Sequence, residues 1–281
     1  MLARAPIFAY LYDRPCLTVT HATHTSMTGH ALTRPGLRAF SIHTIIQETP
    51  MSDRLSISTP DGNFDAYVAY PAQTPAPAVV VIQEIFGINA DMRETCDEYA
   101  RQGYVALCPD LFWRLEPNVE LTDRTEAEWQ QALKYYNAFD VNTGVEDIAA
   151  TIGFARGLSQ VKGKIGSVGF CLGGLLSFLT AARTDVDASV SYYGGGTDQY
   201  LGELPKIKVP LMLHLAEEDE FIPADARSRV LAAVQGHANV EAFTYPGCHH
   251  AFARNQGAHY DAASAQLANG RTAEFFKKNL T

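Results

Sequence analysis

A cysteine stands where an apolar strand would turn sharply into a helix. Residues 169–174 read Gly-x-Cys-x-Gly-Gly around Cys171, and a run with helical propensity, Leu175 to Ala182, follows at once. A turn this tight leaves little room for neighbouring side chains, and Gly169 and Gly173 have none. A helix N-terminus favours a thiolate and a developing oxyanion. The pattern therefore predicts a nucleophile, and a buried structural thiol is the alternative.

A base and an acid that could serve this thiol follow two later strands. A thiol of pKa about 8.5 is only a few per cent ionised at neutral pH, so it needs such help. Both loops lie at strand carboxyl ends, where ligands bind in open α/β sheets. The order nucleophile, acid, histidine is that of a catalytic triad. The candidates, among which residue type alone does not choose, are Glu217, Glu218, Asp219, Glu220, His249 and His250.

The elements that must position these groups alternate between strands and helices. This alternation predicts a single α/β domain over residues 51–281, with a mostly parallel central sheet and helices on both faces. The predicted strands are Leu55–Ser58, Phe64–Tyr70, Ala78–Ile82, Tyr104–Cys108, Lys164–Phe170, Ala188–Tyr192, Pro210–Leu215 and Val240–Tyr245. The predicted helices are Asn89–Gln102, Thr125–Phe139, Val145–Leu158, Leu175–Ala182, Ala224–Val234 and Ala262–Lys278. The segment 60–63 predicts a hairpin turn between the first two strands.

Composition narrows the class of protein. Of the 281 residues, 47% are hydrophobic and 19% charged, which is typical of a globular core. The net charge of −9 argues against a nucleic-acid partner. No apolar run approaches the roughly 18 residues that span a membrane. The five cysteines show no metal-ligand spacing and indicate a reduced, cytoplasmic protein; they are Cys16, Cys96, Cys108, Cys171 and Cys248.

Residues 1–50 differ from the rest of the chain. They carry four arginines against two acidic residues, and they lack a helical or strand period. They could be a targeting segment, a metal-binding tract or sequence outside the native domain. We favour the last, because the periodic pattern begins just after Met51. The histidines of the metal hypothesis, which lack regular ligand spacing, are His21, His24, His30 and His43.

Several further motifs accompany the nucleophile at compatible spacing. They are Gln83-Glu84-Ile85-Phe86-Gly87, Cys108-Pro109-Asp110-Leu111-Phe112, Gly169-Phe170-Cys171-Leu172-Gly173-Gly174, Tyr192-Tyr193-Gly194, Asp219 before Ile222-Pro223, and Tyr245-Pro246-Gly247 leading to His250-Ala251-Phe252. Together they resemble the dienelactone hydrolase family, the carboxymethylenebutenolidases, over about residues 51–281. The resemblance implies an α/β-hydrolase fold.

The resemblance also implies roles for particular residues. It selects Asp219 among the acids and His250 among the histidines, which gives a triad with Cys171. It places Glu84 near the Cys171 thiol. Glu84 would hold this thiol in a resting pose until substrate arrives. An acid beside a thiol normally raises the thiol pKa, so this arrangement implies a switch.

Substrate contacts follow from the same resemblance. The backbone N–H groups of Leu172 and Ile85 would form the oxyanion hole. Arg114 and Arg254 match positions that bind a substrate carboxylate, for which a planar guanidinium is suited. Tyr192 would line the same pocket.

The function implied is hydrolysis of dienelactone (4-carboxymethylenebut-2-en-4-olide) to maleylacetate in the breakdown of aromatic compounds. We expect a cytoplasmic monomer that needs no cofactor or metal, acts on a small acidic lactone or ester, and binds neither nucleic acid nor membrane. Three alternatives stay open. The same triad could act on another ester or thioester; Cys171 could serve a redox-sensing or binding protein without turnover; or residues 1–50 could associate with a membrane.

Overall fold

An eight-stranded sheet is the framework of residues 51–255 and 257–281, the part of the chain that the computed structural model describes. The strands are β1 (Met51–Thr59), β2 (Gly62–Tyr70), β3 (Ala76–Ile82), β4 (Val105–Pro109), β5 (Val161–Phe170), β6 (Ala188–Tyr192), β7 (Leu211–Ala216) and β8 (Val240–Tyr245). The helices are α1 (Ala90–Arg101), α2 (Glu126–Ala138), α3 (Val141–Gly157), α4 (Leu172–Arg183), α5 (Ala224–Val234) and α6 (Ala262–Leu280). The expectations for residues 1–50, including the four histidines, lie outside the described residues.

The sheet is mostly parallel, as predicted. Its strand order is β1-β2-β4-β3-β5-β6-β7-β8. The pairs β1–β2 and β2–β4 are antiparallel, and every other neighbouring pair is parallel. The predicted hairpin joins β1 to β2. The α/β connections place the carboxyl ends of β3, β5, β6, β7 and β8 along one edge of the sheet.

Helices cover both faces of the sheet. On β3, Val80 and Ile82 belong to the apolar cluster that α3, α4 and α5 complete. The alternate residues Val79 and Val81 belong to the cluster formed with α1 and α6. All four side chains are fully buried. A central parallel strand buried on both faces explains why this segment is continuously apolar in sequence.

Several elements differ from the sequence prediction; strand β1, for example, begins at Met51 rather than Leu55, and β5 begins at Val161 rather than Lys164. Helix α3 begins at Val141 rather than Val145, because the Asp140 side chain caps it by accepting a hydrogen bond from the Thr143 N–H at 2.9 Å. Helix α4 begins at Leu172 and includes the two glycines that the prediction assigned to the turn. A 3-10 helix over residues 197–206, between β6 and β7, was not predicted.

The described residues contain neither a candidate membrane span nor a candidate metal site. None of their helices is both long and apolar enough to cross a membrane. Within 51–255 and 257–281, no group of three or more His, Cys, Asp or Glu side chains has an arrangement that could hold a metal ion.

Candidate active site

Cys171 lies at the junction of β5 and α4 in strained backbone. Its φ is 55° and its ψ is −114°, a conformation that side chains other than glycine rarely adopt. Its N–H donates to the carbonyl of Tyr192 at the end of neighbouring β6, at 3.1 Å. The residue is half-buried. The strain is therefore concentrated on the one residue whose thiol the turn presents.

Two glycines make this turn sterically possible. A Cβ on Gly169 would lie 1.9 Å from the Gly173 carbonyl oxygen. A Cβ on Gly173 would lie 2.3 Å from the carbonyl oxygen of Ile82, at the end of β3. These distances are far inside van der Waals contact. The start of α4 thus packs directly on β5 and on the loop that follows β3.

His250 and Asp219 form a buried pair in the loops after β8 and β7. Nδ1 of His250 lies 3.0 and 2.9 Å from the two carboxylate oxygens of Asp219. Oδ1 of Asp219 also accepts from the N–H groups of Phe221 and Ile222 at 2.9 and 3.1 Å, which fixes the carboxylate. The His250 side chain is 5% exposed and that of Asp219 is fully buried.

Electrostatics connect this pair to the thiol. Burial lowers the pKa of His250, but negative charge on Cys171 and the hydrogen bond and charge of Asp219 outweigh it, so the pKa is raised above 6.5. Nε2 of His250 is buried and has no well-formed hydrogen bond among the described residues. Cys171 is therefore one of the two residues whose charge raises the pKa of the His250 ring.

Burial distinguishes these residues from their neighbours. Glu218 is exposed and Glu217 half-buried, whereas Asp219 is buried. The His249 side chain is 53% exposed. Glu220 accepts a hydrogen bond from the backbone N–H of His250 at 3.2 Å, so it braces the loop.

The two predicted oxyanion donors, the N–H groups of Leu172 and Ile85, lie on neighbouring segments. Leu172 is the first residue of α4, so no carbonyl within that helix can accept from its N–H. Ile85 lies buried in the loop after β3, on which the start of α4 packs. Both predicted oxyanion donors therefore belong to segments in direct contact.

Glu84 and Arg254 form an ion pair close to this junction. Nε of Arg254 donates to Oε2 of Glu84 at 2.7 Å. The Glu84 side chain is 3% exposed, and its Oε1 has no hydrogen-bond partner among the described residues. Nη1 of Arg254 donates to Asp123 at 2.5 Å. Sequence reasoning did not select Asp123.

The structure gives Arg114 a different environment from the one expected. Its guanidinium donates to Asp147 of α3 and, at 2.8 Å, to Asp61 of the β1–β2 turn. The indole N–H of Trp113 donates to the same Asp147 carboxylate at 3.0 Å. These contacts fasten the hairpin to α3. The predicted contact of Arg114 with a substrate carboxylate therefore receives no support.

The side chain of Tyr192 also contacts other residues than the prediction implied. Its hydroxyl hydrogen-bonds with Asn269 at 3.0 Å and with Thr272 at 2.7 Å, both on α6, and the residue is 1% exposed. It touches the nucleophile through its backbone carbonyl. The expected pocket-lining role of its side chain is not supported.

Tyr193, the next residue, lies at the site instead. Its ring centroid is 5.1 Å from that of His250, and its hydroxyl is buried without a partner among the described residues. Its φ of 40° is a second strained position. The sequence analysis selected Tyr192 and did not select Tyr193.

Three aromatic rings continue from His250 along one side of the site. Phe221 lies 4.7 Å from the His250 ring, Trp129 of α2 lies 6.3 Å from Phe221, and Phe86 lies 5.7 Å from Trp129, between ring centroids. Phe86 also packs under the Arg254 guanidinium, at 5.0 Å. These residues give the site an apolar wall next to a cation.

The sequence profile of the dienelactone hydrolase family matches residues 64–280. The chain belongs to the dienelactone hydrolase family. It is therefore a hydrolase, and the eight-stranded, mostly parallel sheet with helices on both faces is the α/β-hydrolase fold that the resemblance implied.

Individual members of the dienelactone hydrolase family are similar to this chain over most of its length. A protein of Azospirillum brasilense named "Putative carboxymethylenebutenolidase" is 51% identical over 225 residues, which cover 78% of this chain and 95% of that protein. The carboxymethylenebutenolidase of Pseudomonas putida is 41% identical over 226 residues, covering 80% and 96%. The crystal structure of a "Putative Dienelactone Hydrolase" from Klebsiella pneumoniae superposes with a TM-score of 0.73 at 25% identity, covering 82% of this chain and all of that one.

Proposed function

We propose that the enzyme hydrolyses dienelactone (4-carboxymethylenebut-2-en-4-olide) to maleylacetate, with Cys171 as nucleophile, His250 as base and Asp219 as its orienting partner. One observation carries the proposal: Nδ1 of the buried His250 lies 3.0 and 2.9 Å from the two oxygens of Asp219, and negative charge on Cys171 contributes to the raised pKa of this histidine. The relatives named carboxymethylenebutenolidase support the choice of substrate.

Acylation opens the lactone ring. The Cys171 thiolate attacks the lactone carbonyl carbon, and the negative oxygen is held by the N–H groups of Leu172 and Ile85, one such donor typically contributing about 2.7–4 kcal/mol. The ring C–O bond then breaks. The leaving enolate takes the proton from His250 and tautomerises to the ketone of maleylacetate, which stays bound as a thioester.

Deacylation regenerates the thiolate. Water attacks the thioester carbonyl and gives a proton to Nε2 of His250, and the C–S bond breaks to release the carboxylic acid. Asp219 accepts a hydrogen bond from Nδ1, which keeps the imidazole in the required tautomer and supports its positive form.

Glu84 and Arg254 complete the proposal. Nε of Arg254 donates to the Glu84 carboxylate at 2.7 Å. We infer that Glu84 holds Cys171 in a resting pose, and that Arg254 binds the carboxylate of an incoming substrate, for which a planar guanidinium is suited. The expectations of a monomeric, cytoplasmic enzyme of aromatic catabolism that works without a cofactor belong to the same proposal.

The first test is steady-state hydrolysis of cis- and trans-dienelactone by the full chain and by Cys171→Ala. We expect turnover by the first and none by the second. Cys96→Ala, which removes a buried thiol from α1, is the control and should retain turnover. A folded enzyme that is inert on both lactones would overturn the substrate assignment.

A second test separates the proposal from its alternatives. Arg254→Ala should lose activity on acidic esters far more than on neutral ones. Equal losses on both would favour a different ester or thioester substrate. In a redox-sensing or binding protein, His250→Ala would leave the reactivity of Cys171 unchanged, whereas the proposed mechanism requires that reactivity to fall.

A further inference from the structure

Arg254 is held by two carboxylates that come from distant parts of the chain. Nε donates to Glu84, which follows β3, and Nη1 donates to Asp123, which lies between β4 and α2. The arginine side chain is 12% exposed. The proposed mechanism gives Glu84 a role and leaves Asp123 without one.

The geometry of a guanidinium makes the second carboxylate important. Arginine offers a carboxylate two flat edges with two parallel N–H donors each, Nε with Nη2 and Nη1 with Nη2. Glu84 is bonded to Nε and Asp123 to Nη1, so each edge has one nitrogen already bound to the protein. Because Nη1 has a second N–H, a substrate carboxylate can still bond to this nitrogen, but it would then lie beside the negative charge of Asp123.

Exposure indicates which carboxylate withdraws at lower cost. The Glu84 side chain is 3% exposed, and the second oxygen of its carboxylate is already buried without a partner among the described residues. Breaking its ion pair would leave a buried charge uncompensated. The Asp123 side chain is 26% exposed and can be hydrated when it leaves the arginine.

The segment that carries Asp123 is anchored beside the site. The N–H of Leu121 donates to the Phe86 carbonyl at 2.9 Å, and the Asn89 side chain donates to the Leu121 carbonyl at 3.0 Å. Both bonds join this segment to the loop after β3. A tethered carboxylate has a high effective concentration at Arg254, so it competes strongly with a free anion.

A third carboxyl group, that of Asp91, responds to the negative charge of the two carboxylates that bind this arginine. Burial and the negative charge of Glu84 raise the pKa of Asp91, in the first turn of α1, to about 7, and Asp123 contributes in the same direction. The two carboxylates that bind Arg254 carry more negative charge than its one guanidinium carries positive charge. An approaching anion is repelled while Asp123 stays in place.

We propose that Asp123 is an internal competitor for the substrate carboxylate and thereby sets the selectivity of the enzyme between anionic and neutral substrates. It is a specificity-determining residue. It occupies the open end of Arg254 until a substrate anion displaces it. The inference rests on the proposed function in one respect, that the substrate anion binds Arg254.

The test compares the full chain with Asp123→Asn, which removes the charge but keeps an oxygen that can accept from Nη1. Titration calorimetry with maleate, an inert planar dicarboxylate, measures anion affinity without turnover. We expect maleate to bind about tenfold more tightly, the weight of one charge-assisted hydrogen bond. The ratio of kcat/KM for dienelactone to that for phenyl acetate should rise by a similar factor.

Asp225→Asn is the matched control. It removes the same charge from the first turn of α5, where the Asp225 side chain is 74% exposed and pairs with Arg229. It should change neither the maleate affinity nor the substrate ratio. Asp123→Ser is a second variant in case the asparagine disturbs folding, and it should also bind maleate more tightly.

The outcomes separate this inference from the proposed function. Unchanged or weaker maleate binding in the folded Asp123 variants overturns the inference, even if dienelactone is hydrolysed. If dienelactone is not hydrolysed but the variants bind maleate more tightly, the substrate assignment fails and the inference stands.

Discussion

The imidazole of His250 receives opposite influences from its surroundings. Burial alone would keep it neutral, because a charged ring loses its hydration. Asp219 and Cys171 reverse that preference, and the pKa of His250 is raised. Since Asp219 is itself fixed by two backbone N–H groups, it can hold the ring without moving.

At the scale of the residue, Asp219→Asn should lower kcat for dienelactone by about 10³–10⁴-fold, because an amide no longer selects the required imidazole tautomer. Steady-state kinetics at saturating substrate measure this loss. Glu218→Gln, a charge removed from an exposed position of the same loop, should leave kcat unchanged. Similar losses in both variants would show that loop charge matters, and not the contact with His250.

Helix α4 and strand β3 meet without side chains between them. The Cβ position of Gly173 lies 2.3 Å from the Ile82 carbonyl oxygen and 2.7 Å from that of Gln83. This approach brings the N-terminus of α4 beside the loop that carries Glu84 and Ile85. The element, and not one residue, thus positions the proposed oxyanion donors.

At the scale of the element, Gly173→Ala should destabilise the fold by about 1–3 kcal/mol, as overpacking does, and lower kcat strongly. Gly153→Ala is the matched control, since Gly153 is exposed on α3 and its Cβ would meet nothing within 4 Å. It should raise stability by about 0.5–1 kcal/mol. Urea unfolding and turnover measure both effects, and equal stabilities would refute the packing argument.

A buried network of polar side chains connects α6 to the central sheet. His214 of β7 hydrogen-bonds with Tyr245 of β8 at 2.7 Å and with Thr272 of α6 at 3.0 Å. Burial, and then the positive charge of Arg271, lower the pKa of His214 to about 3. The histidine is therefore neutral in the folded protein and gains a proton on unfolding in acid.

At the scale of the molecule, this histidine should make folding sensitive to acid. The contribution of His214 to the free energy of unfolding is fully present above pH 6.5, the pKa of the ring in the unfolded chain. It is lost as the pH falls toward 3, the pKa in the folded protein, by about 1.4 kcal/mol per pH unit. From pH 7 to pH 4.5 that amounts to roughly 2–3 kcal/mol of the free energy of unfolding. Urea unfolding of His214→Gln should lack this part of the loss. His249→Gln, at an exposed ring, should keep it.

The predicted start of the catalytic domain at residue 51 can also be tested on the whole molecule. Every residue in the proposed mechanism lies between positions 84 and 254. We therefore expect the chain shortened to residues 51–281 to keep the kcat and KM of the full chain. A tenfold or larger loss would assign residues 1–50 a part in the enzyme, contrary to the interpretation that they lie outside the native domain.

Much of the fold could be predicted because the pattern of apolar and polar residues within each strand and helix reflects which of its faces are buried. The bounds of β6, α5 and β8 agree with their predicted bounds, since each is a short apolar or amphipathic run with clear breaks. The start of α4 was misplaced because two glycines look like a turn in sequence. In the structure they are helical residues that permit close packing.

The nucleophile candidate, the order of the loops and the family could be inferred from the amino-acid sequence, because each depends on residues adjacent in the chain. Which side chains contact each other became clear only in the folded protein. Arg254 binds Asp123, 131 positions away, whereas Arg114 binds Asp147 and the hydroxyl of Tyr192 reaches α6. The periodicity of apolar residues along the chain does not predict such pairings, because they depend on how separate loops converge at one edge of the sheet.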